Sequence, residues 1–110
     1  MPKPIILYSD SKSPLKEMIR GAKVRFIHSR KMTMAEWHFE PKTNLPKHAH
    51  PHEQITKIIS GHFKLYSPAG VLSLKQGDSA VIPPDIEHWG ESVTACHIID
   101  VFYPVREDYR

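Results

Sequence analysis

His48-Ala49-His50-Pro51-His52-Glu53-Gln54 is the stretch whose reading decides this chain, and Gly61 stands seven residues beyond Gln54. A second block, Gly77-Asp78-Ser79-Ala80-Val81-Ile82-Pro83-Pro84-Asp85-Ile86-Glu87-His88, sets another histidine in a glycine and proline frame. Side chains two apart on a strand share one face, so His48 and His50 can offer imidazole nitrogens to a single ion while distant residues complete the shell. Imidazole nitrogen with amide or carboxylate oxygen suits a first-row divalent metal. On one uninterrupted strand His48, His50, His52 and Gln54 would all face the same way. Periodicity therefore does not choose among them, and His52 or Glu53 stands as an alternative to Gln54. The alternative to a built metal centre is a solvated histidine-rich loop, which a second block carrying its own His88 makes hard to obtain by accident.

Around these blocks the chain is cut into short segments by ten prolines and five glycines, and no segment carries a long apolar period of 3.6 residues. The pattern predicts an all-β chain with strands over 24–28, 32–39, 55–60, 63–67, 71–74, 80–82 and 95–103. Pro68-Ala69-Gly70 and Gln76-Gly77-Asp78 read as the turns of successive hairpins. Residues 15–19, behind Ser13-Pro14, read as one helical turn. Short strands at close spacing suggest a sandwich or barrel.

At 110 residues the chain suits one domain over 1–110 with a single core. Hydrophobic residues make up 40% and charged residues 25%, which is ordinary for a globular protein and disfavours disorder. The formal charge of +3 is mild and its lysines and arginines are scattered, which argues against a nucleic-acid partner, as does the lack of a helix-turn-helix pattern. Apolar runs such as Val101-Phe102-Tyr103 are far too short to cross a membrane. The start, Met1-Pro2-Lys3-Pro4-Ile5, has no small-residue cleavage site, and the lone Cys96 cannot form an intramolecular disulfide, so a cytoplasmic location is expected. Cys96 reads as a small buried hydrophobe, and Trp37 with Phe39 as core packing. His28, His38, His62 and His97 have no spacing that brings them to the ion.

The C-terminal strand is the second informative feature. Cys96, Ile98, Asp100 and Phe102 share one face by period two. An Asp on such a face either pairs with a cation, turns to solvent, or is buried with a raised pKa that suits proton transfer. Arg106 follows closely, and its guanidinium fork suits a carboxylate, the alternative being a surface pair with Glu107 or Asp108.

The two blocks resemble the paired motifs of the cupin superfamily, G-x5-H-x-H-x(3,4)-E-x6-G and G-x5-P-x-G-x2-H-x3-N. His48, His50, the Gln54 slot and Gly61 fit the first, and Gly77, Pro83 and His88 the second. The leading Gly is absent, Gln54 stands for Glu, Asp85 for the turn Gly and Ser92 for Asn. The resemblance implies a double-stranded β-helix, or jelly-roll, barrel with metal motifs at 48–61 and 77–92, and a ligand set of His48, His50, Gln54 and His88. That set would hold one divalent transition metal: nickel, zinc, manganese, iron or copper. An amide in place of a carboxylate leaves the ligands uncharged, which makes a stronger Lewis acid and a weaker site.

The ending Asp100-Val101-Phe102-Tyr103-Pro104-Val105-Arg106-Glu107-Asp108 is similar to the D-V-F-x-P-x-R-E-D ending of a cupin subgroup, the KdgF type, that includes proteins converting unsaturated uronates into linear ketonised sugars. That resemblance implies active-site roles for Asp100, Phe102 and Arg106, and a small-molecule, carboxylate-bearing substrate. The leading expectation is a metal-dependent isomerase or tautomerase of the ring-opening kind. A metal-dependent dioxygenase and a non-catalytic metal- or ligand-binding cupin are the competing ones. Small cupins of this kind commonly pair, and the apolar segment Pro4-Ile5-Ile6-Leu7-Tyr8 lacks an obvious partner, so a homodimer is expected.

Overall fold

The computed structural model describes residues 2–110. Ten strands form two antiparallel sheets: β1 (Lys16–Ile19), β2 (Ala22–His28), β3 (Thr33–Phe39), β4 (Asn44–His48), β5 (Glu53–Ser60), β6 (His62–Ser67), β7 (Gly70–Lys75), β8 (Ser79–Ile82), β9 (His88–Ser92) and β10 (Cys96–Tyr103). Short 3₁₀ turns lie at Asp10–Lys12 and Glu107–Tyr109. The larger sheet runs β1-β2-β3-β10-β5-β8 and the smaller β4-β9-β6-β7. This is the two-sheet jelly-roll architecture that the resemblance implies.

Alternation builds the core. Inward positions of β3 and β10 place Ala35, Trp37, Phe39, Cys96, Ile98 and Phe102 between the sheets, where Phe39 meets Phe63 of β6 at a ring distance of 5.3 Å. Truncating an aromatic ring in such a core costs about 3–5 kcal/mol. Trp37 and Phe39 stack at 5.5 Å, and burial raises the pKa of the Cys96 thiol, so all three behave as packing residues.

Two sequence expectations need correction. Residues 15–19 make no helical turn; Lys16–Ile19 is an edge strand that returns into β2 through Arg20-Gly21, with Gly21 at φ 88°. A left-handed glycine closing a tight turn was the overlooked signal. Gln76-Gly77-Asp78 turns the chain but closes no hairpin, because β8 pairs with β5 in the other sheet and not with β7. There Gly77 donates its N–H to Ile58 O at 2.8 Å and Ile58 donates back to Asp78 O at 3.0 Å, so the turn is a corner between sheets. Nor do residues 48–54 form one strand: β4 ends at His48 and β5 begins at Glu53, with a bend between. Pro51 lacks the N–H a ladder needs.

Two further strands, β4 and β9, lie where no strand was expected. Pro46 weakens the signal of β4, which tolerates it as the edge of its sheet. In β9 the inward positions are His88, Gly90 and Ser92, so the strand has no apolar alternation to read. Gly90 is small because the Phe63 ring occupies the space a Cβ would need. Ser92, fully buried, accepts from Thr43 N at 2.9 Å and donates to Glu40 O at 2.6 Å, so it ties down the β3–β4 connection.

Candidate metal centre and cavity

Register decides what meets inside the barrel. On the smaller sheet His48 of β4 sits opposite His88 of β9. On the larger sheet β10 lies beside β5 so that Phe102 faces Gln54 and Asp100 faces Thr56. His50, in the bend, is joined to the second block by its carbonyl, which accepts from Asp85 N at 2.8 Å. Asp85 adopts the left-handed conformation, φ 64°, that a turn glycine would otherwise supply.

The imidazoles are oriented alike. Nδ1 of His48 donates to Pro46 O at 2.8 Å, Nδ1 of His88 to Ile86 O at 2.8 Å, and Nδ1 of His50 to His52 O at 3.2 Å. A carbonyl only accepts, so Nδ1 carries the proton and the neutral ring presents a bare Nε2. Histidine ligands are commonly held in this way, with the far nitrogen bonded to a carbonyl. One ligand atom from each of His48, His50 and His88 lies within 4.8 Å of the others. Burial lowers the pKa of His88, and burial with the Arg106 charge pushes that of His50 down to about 4, so both are neutral at pH 7.

Gln54 completes the argument about donors. Its Nε2 donates to Thr56 Oγ1 at 2.9 Å, and Thr56 in turn donates to Asp100 Oδ1 at 2.7 Å, which leaves Oε1 of Gln54 pointing at His50 Nε2 from 3.1 Å. Two lone pairs thus face one another. The buried Nε2 of His88 is also without a partner among the described residues. Unpaired acceptors in a buried site are costly, and a cation resolves both at once. The residues present therefore fit a divalent metal held by imidazole nitrogens and an amide oxygen.

The alternative ligands are placed elsewhere. Glu53 is exposed, opposite Tyr103. His52 is buried but does not join the three-histidine group, its ring lying 5.4 Å from that of His50 and 6.3 Å from Phe102. His28, bonded to Thr33 and Tyr109, and His62 also stay outside that group, while His38 and His97 form a separate cluster with Glu36.

A cavity of about 250 Å³ adjoins these groups, at the small end of ligand sites, which run from about 300 Å³ upward. His48, His88, Gln54, Thr56, Asp100 and Arg106 line its polar part, and the rest, Phe102 included, is mostly apolar. Asp100 is buried, not solvent-facing, and burial pushes its carboxyl up to about 6 against the opposing pull of Thr56. Arg106 is buried too, stacked between Phe102 at 4.7 Å and Tyr109 at 4.1 Å. Its Nε and one terminal nitrogen hold Asp108 at 3.0 and 2.8 Å, so one edge of the fork is already engaged. Sequence reasoning missed Thr56, which period two from Gln54 would have put on the same face, and Tyr109, for which there was no signal.

The chain belongs to the cupin domain family, whose model matches residues 35–102. Among solved structures it is similar to an RmlC-like cupin from Shewanella frigidimarina NCIMB 400, with 23% identity, TM-score 0.89 and all of both chains covered. It is also similar to KdgF from Halomonas sp., with 20% identity over 97% of this chain and 100% of that one, TM-score 0.89. A predicted oxalate decarboxylase from Thermotoga maritima has 17% identity over 90% of this chain and 99% of that one, TM-score 0.78. No curated protein sequence matches the chain.

Proposed function

We propose that this protein is a metal-dependent enzyme acting on a small carboxylate-bearing molecule, and that its reaction is ring opening and ketonisation of an unsaturated uronate or a similar acidic sugar. The observation that carries this reading is the juxtaposition, beside one cavity, of bare imidazole nitrogens and an amide oxygen with a buried Asp100 and a buried Arg106. His48, His50, Gln54 and His88 hold the ion. When bound, it supplies the Lewis acidity that polarises a carbonyl or hydroxyl oxygen.

The chain's own groups do the rest. Asp100, with its pKa near 6, takes the proton of the anomeric hydroxyl as the ring C–O bond breaks to an aldehyde and an enolate, and returns that proton to the carbon of the former double bond, which leaves the linear keto acid. The proton balance closes without redox change or a second cofactor. Thr56 fixes the carboxyl and the Gln54 amide together. Arg106 presents its remaining N–H edge to the substrate carboxylate, and Phe102 walls the space beside it. The mostly apolar lining suits a planar unsaturated acid better than a fully hydroxylated sugar, whose hydroxyls would face Phe39, Phe63 and Leu74 without partners. Similarity of the 100–108 segment to the KdgF-type ending supports the same substrate class.

The test is turnover of unsaturated galacturonate by metal-free and reconstituted protein, followed by loss of enol-acid absorbance and appearance of the linear keto acid. Failure with nickel, zinc, manganese, iron and copper alike overturns the substrate, and tight binding without turnover favours a non-catalytic cupin. Oxygen uptake would mark a dioxygenase. No helix among the described residues is long and apolar enough to cross a membrane. A cytoplasmic homodimer over 1–110 remains part of the proposal, supported by the apolar arm in which Ile5 and Leu7 are 101% and 86% exposed.

A further inference from the structure

The outer face of the larger sheet, away from the cavity, carries a second group of metal-ligating side chains. Residues 36 and 38 of β3 alternate with the inward Ala35, Trp37 and Phe39, and His38 is the direct cross-strand partner of His97 on β10. Their rings stack at 4.3 Å with a 16° interplanar angle. Glu36 approaches both, its Oε2 lying 2.6 Å from His97 Nε2 and 4.0 Å from His38 Nε2.

We propose that Glu36, His38 and His97 form a second, weaker site for a divalent first-row metal, of the zinc, nickel or copper type, distinct from the one inside the barrel. One ligand atom from each lies within 4.8 Å of the others. Ligand atoms around a tetrahedral zinc are roughly 3.3 Å apart, given bonds of about 2.0–2.1 Å, so small side-chain rotations close the set. His38 and His97 are direct cross-strand partners and Glu36 lies two residues along β3 on the same face, so the three side chains already converge. The other carboxylate oxygen of Glu36 accepts from Arg25 Nε at 2.7 Å, which orients the carboxylate as outer partners of metal sites do.

The free state is ready for a cation. His38 makes no ring hydrogen bond among the described residues, and burial followed by the nearby His97 lowers its pKa, so its nitrogen is an open lone pair at neutral pH. Burial works against ionisation of Glu36, but hydrogen bonds from His97 and Arg25 prevail and hold it below the usual carboxylate range. A metal replaces the proton that His97 shares with Glu36. Arg25 carries a positive charge beside the carboxylate, which opposes a cation and makes this the site that fills second. His38 and His97 are 45% and 29% exposed, so water could complete the set.

Zinc titration of chelator-treated full-length protein tests this, by calorimetry and by equilibrium dialysis. The expected stoichiometry is two zinc ions per chain, falling to one in His38→Ala and in His97→Ala while the tighter phase is unchanged. His88→Ala should instead lose the tighter phase and keep the weaker one, so failure of the inner site is separately visible. Ring-nitrogen resonances of His38 and His97 should shift only with the second equivalent. A single equivalent in wild type, or a second one that survives both His38→Ala and His97→Ala, overturns the proposal. His38→Ala removes a partly exposed ring that makes no hydrogen bond, so it should keep the wild-type melting temperature without zinc, which separates ligand loss from misfolding.

Discussion

The hydroxyl of Thr56 donates to Oδ1 of Asp100 at 2.7 Å and accepts from the amide of Gln54 at 2.9 Å. One β5 side chain therefore sets both the direction of the amide oxygen and the state of the carboxyl. Thr56→Val keeps the shape and removes both bonds. The expected result is a stability loss of about 1–3 kcal/mol from unsatisfied buried groups and an Asp100 pKa above that of wild type, read by denaturant unfolding and carboxyl carbon NMR. An unchanged Asp100 titration would contradict the coupling.

Gln54→Glu supplies the charge that the amide lacks. Metal should bind more tightly, because a carboxylate adds an opposite charge at the ion, while turnover should fall as Lewis acidity is reduced. In the metal-free protein the same substitution places a second carboxyl close to Asp100 and should raise its pKa further. Competition with a chromogenic chelator measures the first effect and NMR titration the last. Equal metal affinity in both proteins would remove Gln54 from the ligand set.

Asp100→Asn deletes proton transfer and spares the shape. Turnover should drop by about 10²- to 10⁴-fold with substrate binding retained, and the acid limb of the wild-type pH profile should vanish. A variant as active as wild type would assign the proton step to another group.

The same substitution has a stability signature in metal-free protein. The folded chain holds the Asp100 proton more tightly than the unfolded chain, pKa about 6 against 3.8. Ionisation therefore opposes folding by about 3 kcal/mol above pH 6, and the penalty is relieved as pH falls from 6 toward 3.8. His50, lowered from 6.5 to about 4, acts with the opposite sign: its contribution is full above pH 6.5 and is lost as pH falls toward 4. Asp100→Asn removes only the first effect. Its stability relative to wild type should be greatest above pH 6 and shrink on acidification, as melting curves at pH 4 to 8 would show.

Arg106→Lys keeps the charge and loses the fork. It gives up the paired bonds to Asp108 and the flat stack between Phe102 and Tyr109, so both folding and recognition suffer. We expect KM for a carboxylate substrate to rise by about tenfold or more with a smaller change in kcat. Methyl-ester substrates should show no such KM difference between the two proteins. A KM unchanged by Arg106→Lys would leave this residue a purely structural clamp.

The arm predicts association. Light scattering should give twice the 12.7 kDa chain mass at micromolar concentration, and removal of residues 2–8 should return it to the monomer value. A full-length monomer throughout that range excludes the homodimer.

Alternation of apolar and polar residues along β2, β3, β5, β6 and β10 is a local property, and so the all-β class and most strand positions were legible in the sequence. The histidine, glycine and proline spacing likewise marked both blocks of the site. Strand β9 escaped because its inward positions hold a histidine, a glycine that makes room for Phe63 and a buried serine, none of which alternates in hydrophobicity. The bend at Pro51 escaped because its consequence is spatial: it separates His52 from the cluster that His50 joins. Which edge of Arg106 is free, which oxygen of Gln54 faces His50 and how Asp100 comes to be buried depend on β10 lying between β3 and β5. Those pairings join residues tens of positions apart, and a hydrogen bond or a desolvated charge exists only once both partners are brought into the same dry space.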